Sequence, residues 1–296
     1  MSAYTWPTSQ MLAVNRFGPI EAEIHLVVLT WPHANEPTGS AVEAAVTQQG
    51  VSAALGRDDV AVTFLGPIDP PAPGATRFVL PCDLLTWCRY AHIAGPANQV
   101  EFSYNSNSTG GSPAARRADA CLVTLIDLRP DAVVSLHGDV GGTAPYLYAP
   151  TPEPTLEASL QPFGDLESLD VDWTDVLGPR TLRYFPSSAI GLTGSEAFGT
   201  CVPKHLRCPV VTLELPMFDW STAPEARLPI HDAVGRWIAD GGAEGGDRAA
   251  LLAYVERALA DRAVMMVPSE STAAIGITFL NAIANQVGTT RPRSAN

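Results

Sequence analysis

The chain has 296 residues, 46% of them hydrophobic, which is ample for a sizeable core in one large domain or two small ones. Eighteen lysines and arginines against 31 aspartates and glutamates give a net charge of -13, the wrong sign for neutralising nucleic-acid phosphates or anionic lipid. The opening MSAYTWPTSQMLAVN lacks the basic start and apolar core of a signal peptide, and no 18-residue stretch is unbroken apolar, so the expectation is a cytoplasmic protein with no membrane or nucleic-acid partner.

The first strong element in chain order is IHLVVL (24–29), a buried strand, followed by the turn WPHANEPT and a helix over GSAVEAAVTQQGVSAAL (39–55). VAVTFLG (60–66) predicts a second strand. NSNSTGGS (105–112) lacks the lysine of a phosphate loop and predicts a flexible turn, after which Ser112 caps a helix over 112–128. AVVSLH (132–137) predicts a third strand, and the proline-rich, acidic stretch 149–175 a surface excursion near a site. PVVTLEL (209–215) is a fourth strand. Helices at 225–240 and 248–262 are separated by the glycine spacer GGAEGG, and AVMMV (263–267) closes the series as a strand.

Continuous Val, Leu and Ile runs alternating with helical patterns indicate an α/β protein: one domain over residues 1–288, with a mixed, mostly parallel central sheet, helices on both faces, and a loose tail at 289–296. The five cysteines, Cys82, Cys88, Cys121, Cys201 and Cys208, are odd in number and lack C-x-x-C spacing. Reduced, mostly buried thiols are expected, with a Cys201 to Cys208 bridge left open. Oligomeric state has no readable signal.

His33-x-x-Glu36 alone fits either a polar strand-to-helix turn or half of a metal site. Its position carries more weight. His33 lies just past the carboxyl end of one buried strand and His137 at the end of another, the edge where open α/β sheets gather ligands. Glu214, between Leu213 and Leu215, is a carboxylate in an apolar run and needs a partner, a metal or a raised pKa. Two imidazoles and one carboxylate are a set that holds catalytic zinc, and a second carboxylate beside the zinc-bound water makes a hydrolase.

H-x-x-E, then a lone histidine at a strand end about a hundred residues on, then a glutamate in the form T-x-E-L, resembles the zinc carboxypeptidases of the carboxypeptidase A type, within the wider aspartoacylase-like superfamily. QVEFSYNS (99–106) and LIDLRPDAVVSLHGDVGGTAPYLY (125–148) resemble a bacterial branch, and the likeness covers roughly residues 20–220. It implies a zinc carboxypeptidase-like fold, a zinc ion held by His33, Glu36 and His137, and Glu214 as general base. It also implies hydrolysis of an amide bond in a small peptide or N-acylated amino acid.

That family also uses an arginine at the oxyanion and an Asn-Arg pair on the substrate's terminal carboxylate, both between the metal motif and the second histidine. The only Asn-Arg here is Asn15-Arg16, ahead of the motif. Arg89 is the best-placed residue for the oxyanion role, with Arg116 and Arg117 as substrate-binding residues behind it. Tyr184 is set against the family's tyrosine near the scissile bond, although its separation from Glu214 is large. Tyr146 and Tyr148 alternate along a strand and suit either a pocket wall or a core. Asp139 is placed to orient an imidazole. His25, His92, His205 and His231 lack partners at ligand spacing and read as ordinary histidines. A strict C-terminal carboxypeptidase and a non-catalytic zinc-binding or scaffold protein of the same fold are the alternative functions.

Overall fold

The apolar runs at 24–29, 60–66 and 132–139 form neighbouring strands because each is buried on both faces, as expected where helices cover a sheet above and below. The computed structural model describes Tyr4 and residues 11–70, 78–104, 111–149, 153–164, 169–172, 181–185, 188–191 and 198–290. Among the described residues nine strands make one sheet in the order β1-β3-β2-β4-β9-β5-β8-β7-β6. They are β1 (Ala13–Phe17), β2 (Ile24–Leu29), β3 (Val60–Gly66), β4 (Ala132–Asp139), β5 (Tyr146–Ala149), β6 (Leu169–Asp172), β7 (Thr181–Phe185), β8 (Ser188–Gly191) and β9 (Val210–Pro216). Strands β3, β2, β4 and β9 are parallel. β1 closes one edge antiparallel to β3, β5 runs antiparallel to β9 on the other side, and β8, parallel to β5, continues into the antiparallel β7 and β6.

Alternation along the strands splits the core. Leu26 and Val28 of β2, Val134 and Leu136 of β4, and Leu213 and Leu215 of β9 face α1 (Thr38–Gln49), α2 (Val51–Leu55), α5 (Pro154–Leu160) and the long last helix. Val27, Leu29 and Val133 face α4 (Pro113–Leu128) and the short α6 (Phe198–Cys201). A third cluster joins α3 (Leu84–Tyr90), α7 (Arg227–Ala239) and α9 (Arg248–Leu259) to Trp31, Val140 and Phe218. Trp31, Val140 and Phe218 all lie just past the carboxyl ends of parallel strands, so this cluster packs around that edge.

The sheet and its two helical faces agree with the sequence reading, and the differences have local causes. Gly50, with φ +80°, divides the expected 39–55 helix into α1 and α2. AVMMV is not a strand: Met265 and Met266 make single bridges to Asp83 and Phe218, because the segment threads between two connections instead of lying beside a strand. The GGAEGG spacer contains a short helix, α8 (Gly242–Gly245). The last helix, α10 (Ser269–Thr290), has no counterpart in the sequence reading and runs past residue 288 into the expected tail; residues 291–296 lie outside the described residues. All five cysteines are free thiols, so Cys201 and Cys208 are not bridged. No helix among the described residues is long and apolar enough to cross a membrane.

Candidate metal centre

The β2 strand ends at Leu29, and the next eight residues turn sharply into α1. Trp31 takes φ +53°, a left-handed conformation that costs a non-glycine residue about 1–3 kcal/mol and persists only where surrounding structure enforces it. Its indole is buried in the third core cluster. Glu36 N then donates to His33 O at 3.2 Å, folding the H-x-x-E segment so that Glu36 comes back onto His33. Thr38 Oγ1 donates to His137 O at 2.9 Å, and Gly138 N to Glu36 Oε2 at 3.1 Å, locking this turn onto the end of β4.

Two imidazoles and two carboxylates converge there. Their rings stand edge to face, 5.0 Å apart between centroids. Glu36 lies on the Nδ1 side of both rings, 2.7 Å from His33 and 3.4 Å from His137. Glu101, on the helical turn Val100–Phe102, lies on the Nε2 side, 2.7 Å from His33 and 4.0 Å from His137. Glu214 completes the group: parallel pairing of β4 and β9 sets it beside His137, and Tyr146 of β5 is its neighbour on the other side.

Charge sharing dominates the electrostatics. Burial alone would lower the His33 and His137 imidazoles, but the carboxylates of Glu36 and Glu101 outweigh it and raise both, His33 well above its usual value. Burial would likewise raise Glu36 and Glu101, yet the two imidazoles hold both below the ordinary carboxylate range, Glu36 by a large margin. Glu214 goes the other way. Loss of hydration, added to by Glu36, Asp139 and Glu101, pushes its carboxyl up to about 8 despite His137.

The donor set suits a divalent cation. His33, Glu101 and His137 each offer a ligand atom, all within 4.8 Å of one another. The Nε2 atoms of both histidines are sealed from solvent without an aligned hydrogen bond, although Glu101 Oε2 is 2.7 Å from the first. Two further groups are equally orphaned: Asn35 Nδ2, inside the H-x-x-E segment, and Asp69 Oδ2. Buried polar atoms without partners are uncommon, and four of the seven among the described residues lie on or beside this motif.

No protein family and no curated protein matches the sequence. Solved structures do. A metallo-carboxypeptidase from Burkholderia cenocepacia superposes with a TM-score of 0.51 at 11% identity, over 94% of this chain and 61% of that one. A candidate carboxypeptidase A from Shewanella denitrificans gives 0.52 at 14%, over 93% and 61%, and a candidate metallopeptidase from Shewanella amazonensis 0.50 at 15%, over 93% and 81%. The chain therefore spans about three fifths of the length of the two carboxypeptidases.

This is a metallo-carboxypeptidase-like fold.

Within that fold His33, Glu36, His137 and Glu214 come together at the carboxyl ends of β2, β4 and β9. The contacts made by two of the expected arginines lie elsewhere. Arg89, near the end of α3, is half-exposed and pairs with Glu256 of α9 at 3.6 Å, because its helix packs against α9. Arg116 is exposed in the first turn of α4 and donates to Gly111 O. Arg117 comes nearer: its Nε donates to Ile68 O at 2.6 Å and its Nη2 to Pro67 O, beside Asp69. Tyr184 belongs to β7, and its side chain lies outside the described residues, as does that of Tyr148.

Asp139 orients an imidazole, though not that of a metal-motif histidine. Its Oδ1 lies 3.3 Å from His231 Nε2 on α7 and accepts from Gly141 N at 2.8 Å, while its Oδ2 accepts from Tyr146 OH at 2.9 Å. His25, by contrast, is an ordinary buried histidine bonded through Nε2 to Thr63 Oγ1 at 2.8 Å. Sequence reasoning passed over Glu101, Asp69 and the pairing of His231. For Glu101 a signal existed: like Glu214, it is an acid between apolar residues, Val100 and Phe102.

Proposed function

We propose that the chain is a zinc-dependent hydrolase that cleaves an amide bond in a small peptide or N-acylated amino acid. The observation that carries this reading is the convergence of two imidazoles and two carboxylates at the sheet edge, with a third carboxylate, Glu214, beside His137 on the adjacent strand. In this proposal His33, Glu36 and His137 hold the ion. Tetrahedral zinc ligands about 2.0–2.2 Å from the metal stand about 3.3 Å apart, and Glu36 alone among the carboxylates lies within 3.4 Å of both imidazoles. Glu101 then fills the place of the carboxylate that receives the outer N–H of a metal-ligating imidazole and fixes its tautomer.

A zinc ion held by His33, Glu36 and His137 would supply an activated water, whose pKa such an ion lowers from 15.7 to about 7, and would polarise a substrate carbonyl. Glu214 would serve as the general base, taking a proton from the attacking water and returning it to the leaving nitrogen. Burial among apolar and acidic groups pushes its carboxyl up to about 8, and the positive charge of a bound ion would act against that push and favour the carboxylate that a base requires. Glu101 and the backbone N–H of Gly138, bonded to Glu36, hold the motif rigid. The five free cysteines accord with a reducing, cytoplasmic setting.

A second ligand set, His33, Glu101 and His137 through Nε2, is favoured by the unpartnered Nε2 atoms. One experiment tests both. Elemental analysis of purified protein should find about one zinc per chain, lost in His137→Ala and in Glu36→Gln, and weakened about 10-fold to 100-fold in Glu101→Gln. Loss in Glu101→Gln with retention in Glu36→Gln would move the third ligand to Glu101. Absence of metal from zinc-supplemented wild-type protein would leave H-A-N-E a polar turn and favour the non-catalytic reading.

A further inference from the structure

β9 lies between β4 and β5, with Glu214 in register with His137 on one side and with Tyr146 on the other. Strand alternation puts His137, Asp139, Glu214 and Tyr146 on one face of the sheet. The Tyr146 hydroxyl donates to Asp139 Oδ2 at 2.9 Å, a bond that joins β5 to β4 and therefore crosses β9. Asp139 is in register with Pro216, two residues beyond Glu214, so the phenol ring passes over β9 between Glu214 and Pro216. It closes the β5 side to the Glu214 carboxylate and leaves it the side of His137.

The far end of this strap is fixed from α7. His231 Nε2 lies 3.3 Å from Asp139 Oδ1, the oxygen that also accepts from Gly141 N at 2.8 Å. One turn earlier on the same helix, buried Arg227 donates from Nη1 to Gly141 O at 3.0 Å. Gly141 packs so closely on the imidazole that a Cβ there would stand 2.6 Å from His231 Cγ. Helix and loop therefore meet through two side chains one turn apart, and a side chain at 141 would push the imidazole off Asp139.

The geometry points to His231 as a positioning residue for Glu214: through Asp139 it holds the Tyr146 ring across β9, and that ring sets the direction of the base. Loss of the imidazole leaves Asp139 Oδ1 with the Gly141 N–H and frees the carboxylate to turn, which takes Oδ2 away from the phenol. The strap then loosens on the side of Glu214 away from His137. Small misplacements of a reacting group lower turnover without removing any group that reacts. The inference rests on the hydrolase reading and adds to it the helix that keeps the base in line.

The test compares zinc-supplemented wild type, His231→Ala and His231→Gln by crystallography and by kinetics on whichever of alanyl-alanine and N-acetyl-alanine is cleaved. His231→Ala should displace both the Tyr146 hydroxyl and the Glu214 carboxylate. It should lower kcat about 10-fold at unchanged KM, zinc content and thermal midpoint. His231→Gln, whose amide can still donate to Asp139, should restore both side chains and most of the turnover. In a Glu214→Gln background His231→Ala should cost no further kcat. A Glu214 carboxylate unmoved in His231→Ala, a failed rescue, or a full loss that persists in the Glu214→Gln background would each overturn the assignment. Should His231→Ala not fold, Tyr146→Phe removes the strap's hydrogen bond from the other end and must shift Glu214 in the same way. Wild-type protein that binds zinc and cleaves neither compound sinks the hydrolase reading, and the crystal structures still decide whether His231 positions Glu214.

Discussion

Strands β2, β4 and β9 run parallel and bury both faces, so their carboxyl ends meet at one edge, and His33, His137 and Glu214 are placed by that convergence. Beyond β9 the sheet changes character. β5 turns antiparallel, β8 lies parallel to β5, β7 and β6 then alternate in direction, and the only described side chain this half is shown to bring to the site is Tyr146, whose hydroxyl holds Asp139. A parallel bundle of strand ends concentrates polar groups from distant parts of the chain, while an antiparallel extension alternates its ends and contributes a wall.

The largest expected effect that sharpens this contrast lies on the parallel side. Glu214→Gln should keep its metal but lower kcat by about 10²-fold to 10⁴-fold, the usual loss on removing a general base. Tyr146→Phe, its neighbour on β5, should lose far less, since that hydroxyl is bonded to Asp139. Comparable losses in the two variants would erase the distinction between a reacting end and a supporting wall.

The same contrast appears in stability. Leu26 on β2 is fully buried between helices, and Leu26→Ala should cost about 2–5 kcal/mol in denaturant unfolding. Val14 on the edge strand β1 is half-exposed, so Val14→Ala should stay within about 0.5 kcal/mol. Arg89→Ala should be similarly mild in stability, because it removes only an exposed ion pair with Glu256, and it should leave hydrolysis unchanged. A large loss of turnover in that variant would restore Arg89 to the oxyanion role.

What could be read from the sequence follows the same division. The buried parallel strands were legible because an apolar run of six or seven residues has few other uses, and the motif histidines were legible because they sit at the ends of such runs. The antiparallel half was not: β5 to β8 are four or five residues long, without a sustained period, and the acidic segment around them masks their pattern. β1 and α3 were missed for the same reason. Glu101 belongs to a three-residue turn that no periodicity announces, and its partnership with His33 joins positions 68 residues apart, so only the folded chain brings them together. Arg89 shows the opposite case: its place between the two histidines in the chain suggested a role, and helix packing pairs it with Glu256 at the surface.

The smallest effect concerns a histidine of the core rather than the site. Loss of hydration and the nearby Arg16 lower the His25 imidazole below its ordinary value of 6.5, against smaller opposing contributions from Leu128 O and Asp131. The folded protein therefore keeps His25 neutral at a pH where the unfolded chain has begun to bind a proton there. Stability from this residue is fully present above about pH 6.5 and declines as the pH falls below it, because protons then favour the unfolded state. His25→Gln can retain a hydrogen bond to Thr63 but cannot titrate. The stability of wild type minus that of the variant, measured by urea unfolding, should shrink between pH 7 and pH 5. A difference that stays constant over that interval would mean that the imidazole titrates alike in both states, and that the strand junction between β2 and β3 is open to water.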